Sequence, residues 1–128
     1  MKTIDKIYIN GEFVKPKGNQ IFDLISPTTN QLIGQVTLGN TQDAQDAIAA
    51  AKEAFRTFSQ TTKAERIEYL KRLHEVVSRR KDELIEVMVE EYGGTLQFSR
   101  MSMEFALSSF TSAIATLEKF DFTKKMGF

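Results

Sequence analysis

The spacing of apolar residues changes once along this chain, near residue 40, and that change restricts the fold more than any motif does. Before it, apolar side chains alternate in short runs of period two, the signature of strands with one covered face. After it, they recur every three or four positions, a spacing that a helix gathers on one side. The predicted class is α+β, with the strands first and the helices after.

The strand region reads as two hairpin-like units. IYI (7–9) and EFV (12–14) flank Asn10-Gly11, a pair that tolerates positive φ at both positions and so favours a tight hairpin over residues 7–14. Beyond the polar link KPKGNQ, the runs FDLIS (22–26) and LIGQVTL (32–38) flank Pro27-Thr28-Thr29-Asn30, giving a second unit over residues 22–38. Two-stranded units are marginal in water, so both need something to cover their apolar faces.

Three or four amphipathic helices follow. Asn40, with Asp43 three positions on, can cap a helix over 41–58 whose stripe is Ala44, Ala47, Ile48, Ala51, Ala54, Phe55 and Phe58. Thr62 and Glu65 have the spacing of a capping box, which opens a helix over 63–79 with Ile67, Leu70, Leu73 and Val77 inward. Past Arg79-Arg80-Lys81 the pattern continues or restarts at Asp82, giving a segment over 81–92 that turns Leu84, Ile85, Met88 and Val89 to one side and stops at Gly93-Gly94. A last helix, 99–119, lines up Met103, Leu107, Phe110, Ile114 and Leu117, widened by Ala106, Ala113 and Phe120. At 128 residues, one domain is the expectation.

Charge and composition exclude several functions. Lysine plus arginine and aspartate plus glutamate number 17 each, so no long-range field gathers nucleic acid or an anionic membrane. The absence of cysteine removes disulfides, thiolate nucleophiles and cysteine-bound metals, and makes the cytoplasm the expected location. Asp5 and Lys6 interrupt the apolar run that a signal peptide needs. The uncharged stretch 105–117 falls short of the ~20 apolar residues that cross a bilayer.

No group stands out as catalytic, cofactor-binding or metal-binding. His74 is the only histidine and lacks companions at ligand spacing, which reads as packing or surface. Glu90-Glu91 and Asp82-Glu83 are helix neighbours that point in different directions, so neither pair is expected to share a site. Ser108-Ser109 has no base or nucleophile elbow, and the glycines form no phosphate loop. Arg79-Arg80-Lys81, beside Asp82 and Glu83, reads as a solvated helix turn, and Glu104 or Tyr92 would need a pocket around a perturbed group to become candidates.

The order of these pieces resembles the amino-terminal segment of the aldehyde dehydrogenase family. The resemblance rests on YINGEFV (8–14), FDLISPTTNQLIGQV (22–36), NTQDAQDAIAAAKEAFRTF (40–58), TKAER (62–66), RRKDEL (79–84) and EEYGGTL (90–96), which come in the family's order from residue 7 to about 120. Phe58 stands near a position where the family usually has tryptophan, and Thr95 where it often has proline. The resemblance implies oxidation of aldehydes to carboxylic acids with NAD or NADP, through a cysteine, a glutamate, an asparagine and a glycine loop that all lie downstream of this segment. It also implies that helices like these pack beside the cofactor-binding sheet.

The expectation is therefore a truncated family member, residues 1–128 of the cofactor-binding domain without its dinucleotide sheet, which binds no cofactor and does not catalyse alone. The alternative is an assembly module that pairs with itself or with a companion aldehyde dehydrogenase chain through the stripe Met103-Leu107-Phe110-Ile114-Leu117, left uncovered. An independent enzyme with a new active site has no cluster of acid, base and nucleophile behind it. Neither nucleic acid nor membrane is an expected partner.

Overall fold

The computed structural model describes residues 1–123, which fall into two compact units. The first comprises residues 1–60 together with 90–93; the second comprises 61–89 and the chain from residue 94.

In the first unit the Asn10-Gly11 hairpin forms as its sequence requires. Strands β2 (Ile7–Ile9) and β3 (Glu12–Val14) pair antiparallel, with Tyr8 opposite Phe13. Asn10 (φ 54°) and Gly11 (φ 84°) both take the left-handed conformation that the two-residue turn demands. The Tyr8 and Phe13 rings meet edge to face at 5.1 Å.

The second predicted unit is part of a three-stranded sheet in which β1 (Lys2–Ile4), β5 (Leu32–Thr37) and β4 (Ile21–Ile25) lie side by side in that order. Strands β4 (Ile21–Ile25) and β5 (Leu32–Thr37) are antiparallel, and the turn between them closes with Ser26 N–H donating to the Gln31 carbonyl at 2.8 Å and Asn30 N–H to the Ser26 carbonyl at 2.9 Å. The added strand, β1 (Lys2–Ile4), runs parallel to β5, with Thr3 opposite Gln35. It was invisible in the sequence because it is three residues long and a parallel pairing leaves no adjacent turn to mark it.

Helix α1 (Thr41–Phe58) completes the first unit, with the predicted bounds and the predicted cap. Asn40 Oδ1 accepts from the Gln42 and Asp43 amides at 2.9 and 3.2 Å, while Asp43 Oδ2 accepts from Asn40 N–H at 2.8 Å. The apolar stripe of α1 finds little cover, since Ile48, Phe55 and Phe58 are each more than half exposed.

The second unit is helical. In α2 (Lys63–Arg79) the Thr62–Glu65 capping box is present, with Glu65 accepting from Thr62 N–H at 2.7 Å. Arg80, with φ −99° and ψ 15°, ends α2 and opens α3 (Lys81–Val87), so the helix restarts at Lys81 rather than Asp82. The segment predicted as one helix over 81–92 changes register after Val87 into a π-helical turn, Met88–Tyr92, before Gly93 turns left-handed at φ 75°. Helix α4 (Leu96–Lys119) begins three residues before its predicted start because Thr95 supplies the cap, its hydroxyl accepting from Phe98 N–H at 3.2 Å.

Helices α2 and α4 pack together and run antiparallel: Lys63, at the start of α2, donates to the Glu118 carbonyl at the end of α4 at 3.1 Å. The stripe expected to lie open is the covered one. Met103 and Leu107 are buried, and Phe110, Ile114 and Leu117 are half-buried. The covered line on α2 is Ile67, Leu70, His74 and Val77; Leu73, predicted inward, is 51% exposed. Spacings of three, four and three keep that line straight along the helix, whereas Leu73 lies a further 100° or so around from His74. The back of α4 stays open, with Met101 and Phe105 more than half exposed.

Candidate functional site

His74 sits half-buried with its ring edge-on to Phe110, centroids 6.4 Å apart, so it packs helix against helix. Among the described residues no three His, Cys, Asp or Glu side chains are grouped to hold a metal ion. Likewise, no helix among them is long and apolar enough to cross a membrane.

The hydroxyl and basic candidates are absorbed locally. Ser108 and Ser109 donate back to the carbonyls of Phe105 and Ala106 at 2.9 and 2.7 Å, a helix habit that occupies both hydroxyl protons. Arg80 donates to Glu83 at 2.8 and 3.0 Å, and Lys81 pairs with Glu104 of α4. Tyr92 is 68% exposed at the end of the π-helical turn.

Glu90 and Glu91, expected to point apart, do share a target. Both carboxylates reach the Lys2 ammonium, at 2.5 and 3.0 Å, and Glu90 first, then Glu91, hold that ammonium above its ordinary pKa. One ammonium carries three donors and two Glu arms are long enough to converge on it. The result is a tie between β1 and the π-helical turn; it contains no nucleophile and no open coordination position.

A polar centre that sequence reasoning reached only in part is Asp43. Besides its capping bond it accepts from Lys17 N–H at 2.9 and 3.1 Å and from Gly18 N–H at 3.1 Å, so one buried carboxylate gathers three backbone donors. Those donors, Lys17 first and then Asn40, hold its carboxyl below the usual carboxylate range. Asn40 at the preceding cap position signalled half of this arrangement; the loop donors, some 25 residues earlier, carried no local pattern. All of the acceptor capacity goes to backbone, so Asp43 fastens the loop before β4 to the start of α1.

One recess of this unit lies between the β2–β3 hairpin and α1. Tyr8, Asn10 and Gly11 wall it, and Ala47, Ala51 and Ala54 form its floor, enclosing about 320 Å³. It offers shape and apolar surface without converging charged or donor groups. These residues can support a fold and present a greasy face.

The aldehyde dehydrogenase family model matches residues 13–126. A Staphylococcus aureus protein named for the aldehyde dehydrogenases is 32% identical over 128 residues, covering 99% of this chain and 27% of its own length. An aldehyde dehydrogenase of Bartonella henselae superposes with a TM-score of 0.91 at 28% identity, over 95% of this chain and 26% of that one. A mutant aldehyde dehydrogenase C of Pseudomonas syringae, solved with NAD+ and octanal, superposes equally well, TM-score 0.91 at 28% identity, over 96% of this chain and 26% of that one. The chain belongs to the aldehyde dehydrogenase family, and it spans about a quarter of the length of the relatives it matches.

Proposed function

We propose that residues 1–128 are scaffold: the amino-terminal part of an NAD(P)-dependent aldehyde dehydrogenase, which supports a cofactor-binding sheet and does no chemistry alone. The observation behind this reading is the family match together with a set of side chains whose polar groups are spent on caps, ion pairs and backbone. Covalent aldehyde oxidation needs a thiolate to attack the carbonyl and a bound nicotinamide to accept the hydride, and these 128 residues contain no cysteine. The same composition suits a reducing compartment such as the cytoplasm.

Purified chain incubated with NAD+ or NADP+ and a panel of aliphatic and aromatic aldehydes is expected to yield no reduced cofactor. Sustained, enzyme-proportional reduction would overturn the reading.

A second reading, an assembly module, has its own support. A free-standing protein of this mass exposes roughly 6,900 Å², and two separate globules of half the mass roughly 8,300 Å² together. This chain exposes 10252 Å². Surplus surface of that order, rich in Ile, Phe and Met, drives association. Light scattering should therefore give a mass above that of a monomer, or a mass that rises with concentration; a stable monomer at micromolar concentration would remove this second reading.

A further inference from the structure

The first unit carries an apolar face that its own contacts leave open. On α1 the residues Ala44, Ala47, Ile48, Ala51, Ala54, Phe55 and Phe58 fall within an arc of about 120°, and Lys52, Glu53 and Arg56 all lie outside it. The β2–β3 hairpin meets one margin of that arc, at the alanine floor of the recess, and leaves Ile48 56% and Phe55 65% exposed.

We propose that this face of α1, with the groove beside the hairpin, is the docking surface for the remaining three quarters of an aldehyde dehydrogenase, and that it binds that portion even when the two are separate polypeptides. The inference rests on the scaffold reading above and names the surface and the occupant. Three observations select the occupant. The surface in excess of two free globules is well over 1,000 Å², more than the ~800 Å² that a standard dimer covers on each partner. Uncovered apolar residues occur on α1 and also on α4, whereas one symmetric contact with a second copy covers one patch. The chain keeps the backbone of its solved relatives at a TM-score of 0.91 while matching 26% of their length, so those relatives have ample chain to lie on such a face. A small polar metabolite fits poorly, since the groove offers no charged side chain and an alanine floor. That floor suits the close approach of another helix or strand.

The test uses the Staphylococcus aureus relative with its matching first 27% deleted, co-expressed with the 128-residue chain as it stands. The expected result is a soluble one-to-one complex by sedimentation velocity, with its dissociation constant raised at least tenfold by Phe55→Glu and by Ile48→Glu. Lys71→Ala, on the exposed side of α2, should leave it unchanged. Phe55 and Ile48 are exposed, so both variants should retain the helical circular dichroism of the parent, which separates lost docking from lost folding. A deleted relative that stays insoluble beside the wild-type chain, or a complex indifferent to both substitutions, would overturn the proposal. So would a homodimer of the 128-residue chain that is broken by Phe55→Glu, because the occupant would then be a second copy. None of these outcomes bears on aldehyde turnover, so the scaffold reading stands or falls separately.

Discussion

Asp43 and Ser99 show how single polar groups divide the stability of this chain. Asp43 satisfies three backbone donors, and Asn40 returns the cap. Replacing Asn40 with alanine should cost about 1 kcal/mol in a urea titration, the ordinary worth of a helix cap. Asp43→Asn should lower the urea midpoint further, because it disturbs the loop donors as well as the cap. The pH dependence has a definite sign. Asp43, Asp46 and Glu65 all have folded pKa values below their unfolded ones, so their contribution is full above the unfolded value of about 4 and is lost as pH falls through the folded value. Stability measured between pH 6 and 2 should therefore drop, and Asp43→Asn should flatten that limb. Ser99 is the opposite case: it is fully enclosed, and its hydroxyl has no hydrogen-bond partner among the described residues. Ser99→Ala should stabilise by about 1 kcal/mol, read as a raised melting temperature. The sequence disclosed the Asn40–Asp43 cap, a matter of three residues. It could not disclose the loop donors or the burial of Ser99, which depend on contacts between distant segments.

Secondary-structure elements were legible in proportion to how locally they are determined. Helices α1 and α2 begin and end as predicted because both carry a capping box and a regular stripe. Strand β1, the register change after Val87 and the early start of α4 were not anticipated, since each depends on a partner beyond a short window. The choice of His74 over Leu73 as the inward residue of α2 is likewise made by Phe110 across the seam. Strand β1 rests on three residues and the tie from Lys2 to Glu90 and Glu91, whose side chains are 36–47% exposed. Exposed pairs of this kind contribute only up to about 1 kcal/mol and weaken with salt. Lys2→Glu places a third carboxylate beside the other two, and should speed hydrogen exchange of the β5 amides that face β1 about tenfold. Raised salt should narrow the difference from wild type. At Gly93, positive φ and the nearness of the Pro27 ring, 2.8 Å from where a Cβ would sit, predict that Gly93→Ala costs at least about 1 kcal/mol.

Taken whole, the molecule has little interior for its length. Among the described residues, Ile85, Met103 and Leu107 are the buried apolar side chains, while Phe13, Phe55, Phe105 and many others face outward. The period change at residue 40 revealed the class and the family phrases revealed the ancestry, but which helix face would be covered was misjudged. The stripe from Met103 to Leu117 finds α2 within the chain, and the open faces are those of α1 and the back of α4. Phe110→Glu consequently tests folding, because Phe110 lies against His74, and should unfold the helical unit; Phe105→Glu tests association. Phe105→Glu should reduce both dye binding to exposed apolar surface and any concentration-dependent mass, while leaving the far-ultraviolet circular dichroism intact.

The bare face of α1 also matters before any partner is present. In a relative with nearly three quarters of its length still to be synthesised, the ribosome would need tens of seconds to deliver the rest, and the emerged helix would meanwhile be adhesive. Ile48 and Phe55, both more than half exposed here, would spend that interval facing water.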